Sequence, residues 1–335
     1  MIDHIRRAAA GVDLTFEQSQ DAVDEIMAGR ASQAQVAGLL VALAMKGESA
    51  DEIAGAARSM RRHALGVASI RRPIVDVCGT GGDGLGTFNI STAVAFVVAG
   101  AGVAVAKHGN RAMSSRCGSS DVLEALGVDI TQGADCAAAS LDEDGIAFLF
   151  AQAYHPAMRF VAPVRRELGI RTLFNVIGPL SNPAGAHRQI VGVPRSALVP
   201  LVAAALGRLG SERAAAISGH GGMDELSLDG PSLVAEWTGE RVIEYAIDPQ
   251  ALGFAPHPAR ALAGGEAHEN AGIIRSVLGG ERGARRDVVV LNAALALSIA
   301  GSAASLPEGI ALAKDSIDSG AAGRKLDALL AATAA

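Results

Sequence analysis

The chain has 335 residues and a formal net charge of −6; half of its residues are hydrophobic and only 3% are aromatic. That length supplies core for one large or two smaller domains. The negative charge argues against a general nucleic-acid binder, so any anion site has to be a local basic pocket.

Residues 1–70 read as helices. Thr15 with Gln18, Ser32 with Gln35 and Ser49 with Glu52 match the capping-box spacing. Gly29 and Gly47 stand where the first two of those helices should stop. Val36, Leu39, Leu40 and Leu43 recur at helical spacing and form one apolar face. No strand pattern lies nearby, so this segment is expected to form a separate small bundle, and the apolar face offers a surface for self-association. The segment Met1–Arg7 has no long apolar core and no cleavage signal. The uncharged stretches Gly84–Ala106 and Val288–Pro307 are broken by glycines and polar residues. No membrane span and a cytoplasmic location are therefore expected.

From Arg71 the pattern changes. Apolar runs of strand length recur at Ile74–Val77, Val103–Ala106, Ile146–Phe150, Ile190–Val193 and Ala214–Ser218, with helical patterns between them. The alternation predicts an α/β domain over 71–335, with a largely parallel sheet covered by helices. Arg241–Ile247, following Pro231 and Gly239, reads as an antiparallel or edge element. Val288–Ala300 reads as a buried helix and Ala321–Ala335 as a plain one. The segment Val164–Asn182, with Arg165, Arg166, Arg171 and a Gly-Pro turn, interrupts the alternation. Cys78, Cys117 and Cys136 are odd in number and lack metal-ligand spacing, which predicts reduced thiols.

The stretch Val75–Asp121 organises the rest. After the first strand pattern comes a glycine-dense turn, Gly79-Thr80-Gly81-Gly82-Asp83-Gly84, then Thr87-Phe88-Asn89-Ile90-Ser91-Thr92 at a helix start. Glycines let backbone N–H groups approach an anion, and Asn89, Ser91 or Thr92 can cap a helix whose N-terminus favours phosphate. The second strand pattern delivers Lys107-His108-Gly109-Asn110-Arg111, then Ser114, Ser115, Ser119 and Ser120. A basic, hydroxyl-rich loop beside a glycine-rich one suits a polyanion. Further on, Asp224-Glu225 follows Gly221-Gly222-Met223. Such a pair can serve a hard cation such as Mg²⁺, although adjacent acids alone read more simply as a solvated turn.

Taken in this order, these motifs resemble the anthranilate phosphoribosyltransferases. So do Gly118-Ser119-Ser120-Asp121-Val122-Leu123-Glu124 and Gly178-Pro179-Leu180-Ser181-Asn182-Pro183, and the resemblance runs from about Leu14 to Leu297. It implies a nucleoside phosphorylase type of fold, in which part of 164–190 joins the N-terminal helices, the active site lies in the cleft between two domains, and the helices form a homodimer. It implies a pentosyltransferase of tryptophan biosynthesis with two substrates, phosphoribosyl pyrophosphate (PRPP) and anthranilate, and with Mg²⁺, two ions per subunit. On the match, PRPP contacts fall to Gly79, Gly82, Asp83, Thr87, Asn89, Ile90, Ser91, Thr92, Lys107, His108, Gly109, Asn110, Arg111, Ala112, Met113, Ser114, Ser115 and Ser119. Metal ligands match Ser91, Asp224 and Glu225. Anthranilate contacts match Gly79, Asn110 and Arg165, with His108, His155 and Pro179 behind them.

His108 has a pKa range fit for acid/base work, but the resemblance makes it a wall of the acceptor site. Arg165, beside Arg166 and Glu167, would otherwise read as a surface charge on a helix. One departure stands out: Ser114-Ser115-Arg116-Cys117-Gly118 occupies the place of the family's Ser-Ser-Lys-Ser-Gly, and Cys117 is a weaker donor than a hydroxyl. Two alternatives of the same fold stay open, a pyrimidine nucleoside phosphorylase and a non-enzymatic nucleic-acid-binding relative.

Overall fold

A computed structural model describes residues 1–112 and 115–334. Four helices open the chain: α1 (Ile2–Ala9), α2 (Phe16–Met27), α3 (Gln33–Lys46) and α4 (Ala50–Arg62). The three expected capping boxes start α2, α3 and α4 at Thr15, Ser32 and Ser49. Each satisfies two otherwise orphaned N–H groups, which sets the helix start. Gly55 lets α4 lie directly on α2, because a Cβ there would overlap the Phe16 carbonyl.

The expected apolar face on α3 forms but turns inward. Val36, Leu39, Leu40 and Leu43 are each 1% exposed or less. They share one core with α4 and with the later helices α9 (Ala162–Leu168) and α10 (Leu173–Ile177) of the 164–182 segment, through Val164, Leu173 and Phe174. The surface for self-association assigned to them is thus already used within the chain. Helix α3 is apolar on its other side as well, and Met45 there is 85% exposed.

The sheet has seven strands: β1 (Ile74–Gly79), β2 (Ala104–Gly109), β3 (Ile146–Phe150), β4 (Arg188–Gly192), β5 (Arg213–Ser218), β6 (Ser232–Trp237) and β7 (Val242–Ile247). Their order is β3-β2-β1-β4-β5-β6-β7, with the first five parallel and β6 and β7 antiparallel. Strand β6 is absent from the expectation, because its hydrophobic pattern is interrupted by Glu236. That carboxylate is buried and accepts from Arg213 at 2.7 Å and from the Tyr245 hydroxyl at 2.8 Å, partners visible only in three dimensions.

On one face pack α5 (Ile90–Gly100), α12 (Ala267–Leu278), α13 (Ala284–Ala300), α14 (Leu306–Asp318) and α15 (Ala321–Thr333), with α6 (Ser119–Leu126) beside α12. Helices α5 and α13 are buried almost all round, as the long apolar runs Ala93–Ala99 and Val288–Leu291 with Ala293–Leu297 require. On the other face lie α11 (Val199–Arg208) with the N-terminal helices, and α7 (Ala134–Glu143) with the short α8 (Ala151–Tyr154). Among the described residues no helix is long and apolar enough to cross a membrane, and all three cysteines are free.

Burial within the chain makes a direct prediction. Leu43→Ala should lower the urea midpoint by an amount equivalent to about 2–5 kcal/mol, in dilute protein as well as concentrated. A variant that only changed oligomeric state, with unchanged unfolding of the single chain, would contradict the inward packing of α3.

Candidate active site

The strand order reverses at β1, with β2 and β3 on one side and β4 and β5 on the other. Open α/β sheets bind ligands in the crevice at such a point, beyond the carboxyl ends of the strands. Here those ends are Gly79 and Gly192, joined by a bond from the Thr80 N–H to the Gly192 carbonyl at 2.8 Å. Gly81, Gly82, Gly84 and Gly86 all have positive φ, so the loop folds tightly and shows its backbone. The Gly81 N–H donates to Asp224 Oδ2 at 2.9 Å. Asp224 presses so closely on the sheet end that a Cβ at Gly79 would lie 2.6 Å from its Oδ2, and one at Gly192 would overlap its carbonyl.

Asp224 and Glu225 are brought together with Asp83 into one acidic cluster. Burial, then the neighbouring carboxylates, push Asp224 up to about 7 and Glu225 up to about 8. Asp83 Oδ2 is buried with no hydrogen-bond donor among the described residues and lies against the Asp224 carboxyl. Ser91 stands beside them: its backbone N–H bonds the Glu225 carboxylate, and its hydroxyl accepts from Lys107 Nζ at 3.1 Å. Hard oxygens crowded without enough donors fit a divalent cation such as Mg²⁺, and Asp224, Glu225 and Ser91 are the groups that would hold it. Among the described residues no group of three or more His, Cys, Asp or Glu side chains has full metal-binding spacing. That suits a metal that keeps waters and substrate phosphates as its other ligands.

The second loop differs from the expectation in its cations. Lys107 is only 4% exposed, and its ammonium is taken up by the Val77 carbonyl at 2.7 Å and by Ser91. Arg111 is tied to Asp121 at 3.1 Å and to Glu124 at 2.8 Å. Both cations assigned to phosphate thus have partners within the chain, and Lys107 reaches the site through the Ser91 hydroxyl. The reason is long-range pairing that local spacing does not reveal. Asp121 also accepts from the N–H groups of Ala112 and Gly118, at 2.9 and 2.8 Å, and so shapes the loop. Gly109 packs against the Ser119 hydroxyl, which donates to the Asn110 carbonyl at 3.3 Å. The Ser115 hydroxyl donates to the Cys117 carbonyl at 3.4 Å.

Thr87 is held by an isolated bridge to Ala263. Ile90 and Thr92 turn their side chains into the core, which leaves Ser91 as the hydroxyl facing the site. Asn89 stands at the N-cap of α5 but makes no capping bond; its side chain joins Asn270 at 2.9 Å and the Cys117 carbonyl at 3.1 Å instead. Met113 and Ser114 lie outside the described residues.

On the acceptor side, the rings of His108 and His155 face each other at 5.1 Å, with the Gly178–Ser181 turn, including Pro179, beside them. Burial pushes His155 down to about 4 and His108 well below its ordinary value, and among the described residues the buried Nε2 of each has no partner. Both imidazoles are therefore neutral near pH 7, an arrangement that fits a wall of a pocket better than a group poised to titrate at that pH. Asn110 Oδ1 accepts from the Arg111 N–H at 2.8 Å and lies 3.4 Å from Gln152 Nε2. Arg165 sits over the Phe174 ring at 5.9 Å. Burial alone lowers its pKa; among the described residues no hydrogen bond or charged neighbour acts on it. A partly desolvated guanidinium without an acid is a poor surface charge and a good carboxylate receptor.

Residues 2–64 match the helical bundle domain, and residues 71–323 the a/b domain, of a glycosyl transferase family. The chain is 54% identical over 330 residues to the anthranilate phosphoribosyltransferase of Roseiflexus castenholzii, covering 98% of this chain and 97% of that one. The crystal structure of the Thermus thermophilus enzyme superposes with a TM-score of 0.95 at 46% identity, covering 99% of this chain and 100% of that one. The Saccharomyces cerevisiae enzyme in complex with PRPP and Mg superposes at 0.90 with 29% identity, covering 99% and 97%. The chain belongs to the anthranilate phosphoribosyltransferase family.

Within the family pattern, the Cys117 departure acquires a structural account. The thiol is buried in the core, pushed up to about 11 by burial, and donates to the Gly118 carbonyl at 3.4 Å. It faces away from the loop surface, so the lost hydroxyl is not one the loop presents. Two residues of this family member escaped the sequence reading. Asp76, fully buried, binds Asn182, Gln189 and the His108 N–H; an acid inside an apolar strand was the available signal. Arg171, which the sequence marks only as one of three arginines in the 164–182 segment and to which no role was assigned, lies on the Gly-rich loop.

The depressed histidines set a pH dependence. His155 titrates near 4 when folded and near 6.5 unfolded, so the unfolded chain binds the extra proton between those values. Stability should be full above pH 6.5 and should fall as pH drops, by up to about 1.4 kcal/mol per pH unit for each histidine. Urea unfolding at pH 7 and pH 5 measures it, and His155→Gln should flatten the slope. An unchanged slope in that variant would show that His155 is not held neutral.

Proposed function

We propose that the protein transfers the phosphoribosyl group of PRPP to the amine of anthranilate, giving N-(5-phosphoribosyl)anthranilate and pyrophosphate. The observation that carries this reading is the juxtaposition in one crevice of the acidic cluster and the segment bearing the unpaired Arg165. The bond from Arg171 to the Gly81 carbonyl at 3.2 Å holds that segment against the Gly-rich loop. One side suits a magnesium-bound pyrophosphate, the other an aromatic carboxylate.

The residues divide the work. The backbone of 79–86 and the N-terminus of α5 orient the phosphates. Asp224, Glu225 and Ser91 would hold Mg²⁺, which when bound stabilises the negative charge gathering on the departing pyrophosphate. Two ions per subunit fit three clustered carboxyls. Lys107 fixes the Ser91 hydroxyl from beneath. Arg165 receives the anthranilate carboxylate, and the neutral His108 and His155 rings wall the acceptor. The anomeric C–O bond breaks through an oxocarbenium-like transition state, and the C–N bond forms with the lone pair of a neutral aromatic amine. The amine then releases its proton to solvent. With both imidazoles neutral and weakly basic, no strong general base takes part.

Loss of anthranilate fluorescence with PRPP and Mg²⁺ tests the reaction, and excess chelator should abolish it. Arg165→Ala removes a charge-assisted bond worth roughly 1.5–3 kcal/mol, so the anthranilate KM should rise about tenfold or more while the PRPP KM moves far less. Equal weakening of both substrates would make Arg165 structural.

We also propose a cytoplasmic homodimer. The support is the outward side of α1 and α3, where Met45 and Ile2 are 85% and 55% exposed. Sedimentation should give twice the 33.9 kDa chain mass, and Met45→Glu should shift it toward the single chain; a single-chain mass for the unaltered protein at micromolar concentration would exclude the dimer.

A further inference from the structure

Arg171 stands in the loop between α9 and α10, on the helical side of the crevice. Its Nη1 donates to the Gly81 carbonyl at 3.2 Å and fills the space that a Cβ on Gly82 would need. Gly82 is thus open because a guanidinium lies on it. Arg171 has no carboxylate within ion-pairing distance among the described residues. Partial burial and the nearby Arg195 both disfavour its charge, and only Asp224, across the loop, favours it. Arg195 follows β4, and the neighbouring Pro194 carbonyl lies 3.1 Å from where a Cβ on Gly222 would be, so its loop abuts the one that carries Asp224. Two arginines that repel each other, with no carboxylate between them among the described residues, form a site where an anion would relieve the repulsion.

On the reaction proposed above, we propose that Arg171, with Arg195 beside it, is a binding residue for the pyrophosphate group of the substrate. It closes on that group from the open side of the crevice, while Lys107 stays buried beneath Ser91. The carbonyl of Gly81 is a placeholder acceptor: the guanidinium carries five donors in a planar fork, and a phosphate offers a charged, bidentate acceptor. The leaving group gains negative charge as the C–O bond breaks, so contacts to it strengthen toward the transition state.

The test is calorimetric titration of inorganic pyrophosphate with Mg²⁺ into the full-length protein and its Arg171→Ala, Arg171→Lys and Arg195→Ala variants, alongside steady-state kinetics. Arg171→Ala should weaken pyrophosphate about tenfold or more and raise the PRPP KM in parallel, with the anthranilate KM little changed. Arg171→Lys should recover part of the loss, since it keeps the charge but not the fork. Arg195→Ala should show a smaller loss in the same direction. Unchanged pyrophosphate affinity in Arg171→Ala overturns the assignment. So does weakening of both substrates together with a lower melting temperature, which would make Arg171 a structural latch. If the unaltered protein bound pyrophosphate but formed no product, the proposed reaction would fall, and the titration would still decide on Arg171.

Discussion

One buried carboxylate, Asp76, links the two halves of the site. It lies in the middle of the apolar strand β1 with no exposure. Its Oδ1 accepts from the His108 N–H at 3.2 Å, and its Oδ2 accepts from Asn182 at 2.8 Å and Gln189 at 3.2 Å. Burial raises its pKa to about 6, with Lys107 the largest opposing influence. A charge so placed is costly unless every lone pair is met. The donors that meet it come from β2, from the turn after α10 and from β4. The strand order, the acceptor histidine and the Gly178–Asn182 turn are thus all anchored to one side chain.

A second constraint is steric. Asp224 reaches the sheet only because Gly79 and Gly192 have no side chains. That close approach puts a carboxylate where Asp83 and Glu225 already crowd, and their mutual repulsion raises the affinity for anything positive. The consequence for phosphate recognition is indirect. The loop cations Lys107 and Arg111 are paired within the chain, so what the crevice itself presents to an anion is backbone N–H groups, the α5 N-terminus and arginines from the helical side. An acidic protein can hold a polyanion in this way without a basic surface.

Local signals in the sequence were reliable and long-range ones were not. The capping boxes at Thr15, Ser32 and Ser49 and the parallel strands were legible because each depends on residues a few positions apart. The fold class followed from them, and the family from motifs in order. The direction of the α3 face was not legible, because helical spacing says that a face is apolar and not what covers it. Strand β6 was hidden by Glu236, whose partners lie on β5 and β7. The same limit applies to the site: Asp224, Glu225 and Ser91 converge as expected, whereas the pairing of Lys107 with Val77 and of Arg111 with Asp121 and Glu124 is not visible in local spacing.

On the roles proposed above, the segment 164–182 would let two arginines only six positions apart serve different substrates. Arg165 lies on the last turn of α9, over Phe174, and faces the acceptor side. Gly169, in the left-handed conformation at φ 63°, ends that helix and turns the chain. Arg171 then emerges on the other side of the turn and lands on Gly81. The segment that carries both is anchored through Val164, Leu173 and Phe174 in a core that α2, α3 and α4 share with the sheet residues Cys78, Val191 and Ala214. A rotation of this segment would carry both arginines together, because only the short turn at Gly169 separates them. On those proposed roles, an anion bound at Arg171 would bring Arg165 toward the carboxylate, and one short segment would couple the two substrates.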